Sequence, residues 1–219
     1  MNCLICSRNL PQQATWRSLF LNDIKEVVCL KCKAEFEPIA GNKCSHCGLP
    51  GDEFCRDCQD WERTRFAGLV SEGRALYHYN EAMQNYLHYY KFLQDVVLAD
   101  VFAAELNQAL AGSGTVLVPI PMNAKKLKER TFPQVDRMLE AAKLPFVHLL
   151  LKNEEVQSKK SRAERMSSAP LFQWNGAVPP KKIILVDDLY TTGTTMRHAA
   201  KVLKEAGTEE IKLFSLIRG

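Results

Sequence analysis

Two adjacent carboxylates, Asp187 and Asp188, end the apolar run Ile183-Ile184-Leu185-Val186. Two residues later the chain reads Thr191-Thr192-Gly193-Thr194-Thr195, and a helical pattern begins at Met196. An unbroken apolar run is what a strand buried on both faces of a parallel sheet requires. A Thr/Gly turn between such a strand and a helix gathers free backbone N–H groups and hydroxyls at the positive end of the helix dipole, which suits an anion. Carboxylates cannot bind that anion, but they suit hydroxyl groups or a metal beside it. Phosphate on one side and vicinal hydroxyls on the other describe a ribose 5-phosphate. Adjacent acids at a strand end are common by themselves; the turn at fixed offset gives them meaning here. The chain has no Gly-x4-Gly-Lys-Ser/Thr loop and no Gly-x-Gly-x-x-Gly, so the usual nucleotide and dinucleotide phosphate motifs are absent.

The second chemistry is carried by cysteine. All 8 cysteines lie before residue 59, as four Cys-x-x-Cys pairs: Cys3/Cys6, Cys29/Cys32, Cys44/Cys47 and Cys55/Cys58. A two-residue gap lets both sulfurs of a pair reach one ion, and two pairs complete a tetrahedral tetrathiolate zinc site. Sequential pairing gives one site from Cys3, Cys6, Cys29 and Cys32 and another from Cys44, Cys47, Cys55 and Cys58; spacing alone also permits a crossed arrangement. Disulfides or isolated redox motifs are the competing readings, and four regular pairs without a secretory leader disfavour them. Gly48 and Gly51 suit sharp turns, and His46, inside the third pair, reads as a bystander. Closed four-thiolate sites are structural.

Composition sets the frame. The 219 residues are 46% apolar and 25% charged, ordinary for a globular protein with room for one core and a small appendage. Residues 1–60 carry 7 Lys or Arg and 8 Asp or Glu, against 22 and 17 in the rest, so the net charge of +4 belongs to the larger part. That permits nucleic-acid contact without requiring it. No stretch reads as a membrane span, and a cytoplasmic location is expected. The division expected is 1–62 as a double zinc ribbon and 63–219 as an α/β domain.

Several elements must position these groups. A strand is expected at Ala75–Tyr79, helices near 81–92 and 95–111, a strand over 116–121, a helix near 134–142, and strands at Phe146–Leu151 and Ile211–Ile217. Residues 152–180 lack a period and read as a loop. Strands alternating with helices predict a parallel sheet, with ligands at the carboxyl ends of strands at a topological switch point. The basic stretch Lys125-Lys126-Leu127-Lys128-Glu129-Arg130 and the loop bearing Gln157, Lys159, Lys160, Arg162 and Arg165 both follow strands and could meet the Asp/Thr turn there. Such a charge run is often just a solvated face. With Trp61, Tyr89, Tyr90, Phe92 and Phe132 nearby it could instead supply phosphate contacts and stacking platforms for a single strand, although aromatics at helical spacing more often belong to the core.

Residues 183–195 resemble the phosphoribosyl-pyrophosphate loop of type I phosphoribosyltransferases. The resemblance implies that Asp187 and Asp188 bind the ribose 2- and 3-hydroxyls, that Thr191, Thr192, Gly193, Thr194 and Thr195 hold the 5-phosphate, and that the basic stretch after Pro121 is the pyrophosphate loop. Mg²⁺ would bridge pyrophosphate and ribose hydroxyls. Lys125, Lys126, Arg130 and Arg165 become candidates for pyrophosphate or DNA-phosphate contacts. Paired cysteine modules ahead of such a domain, Val118-Pro119-Ile120-Pro121, the segment Lys128-Glu129-Arg130-Thr131-Phe132 and the stretch Ser161-Arg162-Ala163-Glu164-Arg165 are similar, over essentially the whole chain, to the ComF family of competence proteins. Thr131 stands where that family usually has glycine, Pro133 where it often has asparagine, and Ser167 near another expected asparagine. The resemblance implies a cytoplasmic role in natural transformation, helping incoming single-stranded DNA across the inner membrane, with the ComF helicase and other uptake proteins as partners that would bring the chain to the membrane's inner face. An active phosphoribosyltransferase, releasing pyrophosphate to a base or other acceptor, is the alternative; no base-recognition signature is visible. A zinc-ribbon scaffold with a degenerate ligand sensor is a third reading.

Overall fold

The computed structural model describes residues 1–10, 24–153 and 171–219. Six strands are present among them: β1 (Glu72–His78), β2 (Val116–Pro119), β3 (Leu150–Lys152), β4 (Phe172–Trp174), β5 (Lys182–Tyr190) and β6 (Glu210–Arg218). The helices are α1 (Leu30–Glu35), α2 (Arg56–Glu62), α3 (Glu81–Phe92), α4 (Ala103–Leu110), α5 (Ala124–Arg130), α6 (Gln134–Ala141) and α7 (Thr194–Glu205), with a 3-10 helix over Val96–Phe102. None of the described helices is long and apolar enough to cross a membrane.

A parallel sheet in the order β1-β6-β5-β2 forms the centre. Because side chains alternate along a strand, β5 serves two cores. Ile184 and Val186 join Tyr86, Tyr90, Phe102, Leu106 and Met138 under α3, α4 and α6, while Ile183 and Leu185 join Met196, Ala199, Leu203 and Phe172 under α7 and the β3–β4 hairpin. All four residues of that run are buried, as an all-apolar central strand should be. Beyond β2 a parallel bridge joins Leu117 to Phe146. The chain therefore leaves β2 toward one edge, and leaves β5 toward β6 on the other side. The crevice at the C-terminal ends of β2 and β5 is the switch point.

The cysteine modules cover the β1 edge. Ile39 N–H donates to the Leu76 carbonyl at 2.8 Å, His78 N–H to that of Glu37 at 2.9 Å, and Gly73 N–H to that of Ser45 at 2.7 Å. A Cβ on Gly73 would lie 2.2 Å from the His46 carbonyl oxygen, so this approach needs glycine. Cys3 and Cys32 belong to the first core, and Cys44, Cys47, Cys55 and Cys58 to the second. The modules thus complete both cores of the sheet.

Four expectations are revised. The helix near 95–111 is a 3-10 segment followed by α4; β-branched Val96, Val97 and Val101 and an Asp95 that makes no cap hydrogen bond weaken the α form there. The strand over Phe146–Leu151 is a single parallel bridge, after which β3 pairs antiparallel with β4. The loop over 152–180 contains β4 within its described part, and three residues are too few to show a period. Strand β5 continues past Asp187 and Asp188 to Tyr190, because β6 keeps pairing with it through Arg218. The carboxylates sit within the strand, two residues before its end.

Candidate functional site

The turn after β5 is fixed by a glycine with no alternative. Gly193 has φ +79° and caps α7, and a Cβ there would lie 2.1 Å from the Tyr190 hydroxyl. Both the left-handed backbone and the close ring exclude a side chain. Helix α7 begins at Thr194, two residues earlier than the apolar pattern indicates, and the Thr192 and Thr194 hydroxyls lie 3.0 Å apart. Among the described residues the N–H groups of Thr191, Thr192 and Gly193 make no backbone hydrogen bond. Threonine hydroxyls, unbonded amides and a helix start therefore share one turn, the requirement for an oxyanion.

The carboxylates differ. Asp188 is buried and its Oδ2 meets Lys91 Nζ of α3 at 2.7 Å. Asp187 keeps some contact with solvent, and its Oδ1 accepts from the Asp188 N–H at 2.9 Å. Burial, then the neighbouring Asp188 charge, push the Asp187 carboxyl up to about 7, while Lys91 and Lys152 act in the opposite direction. The pair is thus poised to gain from a hydroxyl donor or a cation. Lys91 is a residue that sequence reasoning missed; it sits between the aromatics of α3, and only packing brings it to β5.

The basic stretch is the helix α5, where a loop was expected. Asn123 Oδ1 accepts from the Lys126 N–H at 2.8 Å, and Ala, Lys, Leu, Glu and Arg are strong helix formers. Thr131 ends it at φ +66°, a left-handed backbone where glycine costs least. Since Ile120 N–H bonds the Val186 carbonyl at 2.9 Å, α5 starts from the same end of the sheet as the carboxylates. Lys125 is exposed and Lys126 half-buried. Arg130 donates to Gln134 Oε1 at 2.8 Å and lies over the Phe92 ring at 5.6 Å. Arg165, Gln157, Lys159, Lys160, Arg162 and Ser167 lie outside the described residues. The aromatic set divides: Trp61, Tyr90 and Phe132 are core, whereas Tyr89 and Phe92 are exposed at 52% and 63%.

The cysteines assemble sequentially into Cys3, Cys6, Cys29, Cys32 and Cys44, Cys47, Cys55, Cys58, with the sulfurs of each set within 4.8 Å of one another. A tetrahedral ion with Zn–S of ~2.3 Å sets sulfurs about 3.8 Å apart. Cys6 and Cys29 sulfurs lie 3.7 Å apart and those of Cys47 and Cys55 3.6 Å, so both sets could hold zinc. The second pair of each set straddles a helix start: Cys29 and Cys55 are N-caps of α1 and α2. Their N–H groups donate to Cys3 Sγ at 3.3 Å and Cys44 Sγ at 3.5 Å. His46 stays outside, with Nδ1 3.0 Å from Ser45 Oγ.

Three side chains that no motif signals link the second cluster to the Thr/Gly turn and the helix that follows it. Trp61 Nε1 donates to the Thr192 carbonyl at 2.9 Å. Arg197 of α7, fully buried, reaches Glu62 at 3.2 Å and Cys58 Sγ at 3.8 Å. Arg218 of β6 reaches Thr191 O at 2.8 Å and Cys47 Sγ at 3.9 Å.

Residues 88–219 match the phosphoribosyl transferase domain family. Over 226 aligned positions the chain is 37% identical to competence protein ComFC of Bacillus subtilis, covering 99% of this chain and 94% of that one. It is 38% identical to competence protein ComFC of Streptococcus pneumoniae, with both chains covered completely. Competence protein F of Haemophilus influenzae is 23% identical, with 90% of this chain and 93% of that one covered. With a phosphoribosyl transferase fold behind two four-cysteine clusters, and with identity sustained from end to end, the chain belongs to the ComFC family of competence proteins.

Proposed function

We propose that the chain is an accessory factor for DNA uptake in natural transformation, which binds phosphoribosyl pyrophosphate and single-stranded DNA. Residues 1–62 act as the double zinc ribbon and 63–219 as the type I phosphoribosyltransferase-like domain. The observation that carries the reading is the meeting of a carboxylate pair and an oxyanion turn on β5 with the start of the basic α5, at one switch point. In this reading the turn from Thr191 to Thr195 takes the 5-phosphate, and Asp187 and Asp188 accept hydrogen bonds from the ribose hydroxyls. Lys91 compensates one of the two carboxylate charges. An all-oxygen acidic pair suits a hard cation. Mg²⁺ beside Asp187 and Asp188 would offset pyrophosphate charge.

Support for the DNA half comes from α3 and α5. Phe92 is exposed beside Arg130 and is adjacent in sequence to Lys91, which touches Asp188. A solvent-facing ring next to cations is the minimal platform for an unpaired base and its phosphate. Lys125, Lys126 and Arg130 extend that surface. The protein would work in the cytoplasm, reaching the inner face of the membrane through partners, of which the ComF helicase is the first candidate.

The alternative is transfer of ribose 5-phosphate to a base or other acceptor with release of pyrophosphate; the match of residues 88–219 to the transferase domain family favours it. Two assays on one zinc-loaded sample separate the readings: pyrophosphate release with a panel of acceptors, and fluorescence anisotropy with labelled single-stranded DNA. DNA binding without release is the expected result. Release without DNA binding would establish the enzyme instead.

A further inference from the structure

The two buried arginines beside the second cysteine cluster need an explanation. Arg197 and Arg218 are 0% and 4% exposed, and in each the Nε has no hydrogen-bond partner. Their carboxylate neighbours are partly solvated: Glu62 lies 3.2 Å from Arg197, and Asp57 3.7 Å from Arg218. Two guanidinium charges in a core require compensation close by. One Nη2 of each points at a cysteine sulfur, Cys58 for Arg197 and Cys47 for Arg218. Four thiolates around one zinc ion carry a net charge of −2, so a loaded cluster gives both guanidiniums an anionic neighbour besides the partly solvated Glu62 and Asp57. The donor set fits an anionic cluster, and no such arginine pair is seen at the first cluster among the described residues.

Arg218 and Trp61 also grip the turn. Arg218 Nη1 donates to the carbonyls of Thr191 at 2.8 Å and Tyr190 at 3.3 Å, and to that of Gly219; its guanidinium stacks over the Tyr190 ring at 4.8 Å. Trp61, in the helix that carries Cys58, donates to the Thr192 carbonyl and lies under Arg197 at 5.9 Å. Three successive carbonyls, of residues 190, 191 and 192, are thus bonded toward the cysteine cluster. In a trans peptide the N–H points opposite to the C=O, and no cis bond occurs among the described residues. The amides of Thr191, Thr192 and Gly193 are thereby turned away from the cluster, to the side where an anion would sit.

We infer that Arg197, Arg218 and Trp61 are positioning residues that make the second four-cysteine site and the oxyanion turn one unit: a metal-loaded cluster holds both arginines, and Arg218 directly, with Trp61 backed by Arg197, holds the turn open for phosphate. Loss of metal from Cys44, Cys47, Cys55 and Cys58 unfixes the sulfurs that both guanidiniums contact and slackens the turn. The ligand part of this inference rests on the phosphoribosyl reading above; the coupling of metal to turn does not.

The test uses the full chain loaded with ¹¹³Cd at both clusters. The measurements are cadmium NMR, amide and indole proton spectra, and calorimetry with phosphoribosyl pyrophosphate. Arg218→Gln and Arg197→Gln should shift only the second cadmium resonance and speed its removal by a chelator about tenfold, the scale of one charge-assisted hydrogen bond. They should also move the Thr191 to Gly193 amide signals and weaken the sugar diphosphate about tenfold or more. The first cadmium resonance is the internal control. Trp61→Phe keeps the ring under Arg197 but removes the donor to Thr192. It should weaken ligand with little metal loss, and it serves if the arginine variants do not fold. Unchanged cadmium shift and unchanged turn amides in folded variants overturn the coupling. A wild-type protein that binds no sugar diphosphate overturns only the phosphoribosyl reading, since the cadmium and amide signals still decide the rest.

Discussion

Replacing Lys91 by methionine should expose how the acidic pair is kept in the sheet. Lys91 Nζ lies 2.7 Å from Asp188 Oδ2, with side chains 13% and 10% exposed. At an effective dielectric of about 20 the attraction at that distance is roughly 6 kcal/mol, much of it offset by the cost of desolvating both ions. Removing one partner leaves the other charge buried, so a loss of about 3 kcal/mol at neutral pH is expected. Its pH dependence is the sharper test. Asp187 titrates near 7 because burial and Asp188 raise it while Lys91 lowers it. An acid raised in the folded state binds protons more tightly there, so its contribution to stability is present at low pH and lost as pH rises from about 4 to about 7. Without Lys91 the Asp187 value should rise further and that loss should extend to higher pH. The gap between wild type and Lys91→Met, measured by urea unfolding, should therefore be wider at pH 8 than at pH 5. In a double-mutant cycle, Lys91→Met with Asp188→Asn should be less damaging than the sum of the two. Additive losses, or a gap that narrows with rising pH, would refute the reasoning.

Asp187→Ala combined with Asp188→Ala should abolish calorimetric binding of phosphoribosyl pyrophosphate while both metals stay bound; unchanged affinity would remove the site. Gly193→Ala should cost about 2 kcal/mol or more in thermal unfolding, since φ +79° and the Tyr190 hydroxyl both oppose a Cβ. Tyr190→Phe in the same background should recover part of it. Single-stranded DNA affinity should fall steeply with salt, and Arg130→Gln should reduce that slope by about 0.7. Phe92→Ala should cost about 1 to 3 kcal/mol of binding at any salt, and a flat salt response would count against a phosphate-led contact. Chelation of both metals should lower the midpoint of the whole chain's unfolding, because the cysteines belong to both cores of the sheet. A two-step melt with an unshifted second step would show instead that the α/β core stands alone.

Much of this protein is legible without coordinates because its signals are local. The four Cys-x-x-Cys pairs announce two tetrahedral sites through spacing alone. Ile183 to Val186 announces a central strand, since an all-apolar run has no solvent face to serve. Asp187, Asp188 and the threonines around Gly193 announce an anion beside hydroxyls by side-chain type. What sequence could not decide is set by partners distant in the chain. The pairing of cysteines follows from which knuckles pack together. The extent of β5 follows from the length of β6. The end of the 3-10 segment, the helical form of the basic stretch and the antiparallel β3–β4 pair are outcomes of packing in which short-range preference is too weak to rule. Lys91, Trp61, Arg197 and Arg218 show this most plainly. They sit in unremarkable stretches, and only the tertiary fold brings an ammonium to Asp188, two guanidiniums to the second cysteine cluster, or one of them on to the Thr/Gly turn. The sequence by itself determined which chemistry is present. The fold decided what touches it, because the energies that hold buried charges and backbone carbonyls in place depend on distances no spacing rule encodes.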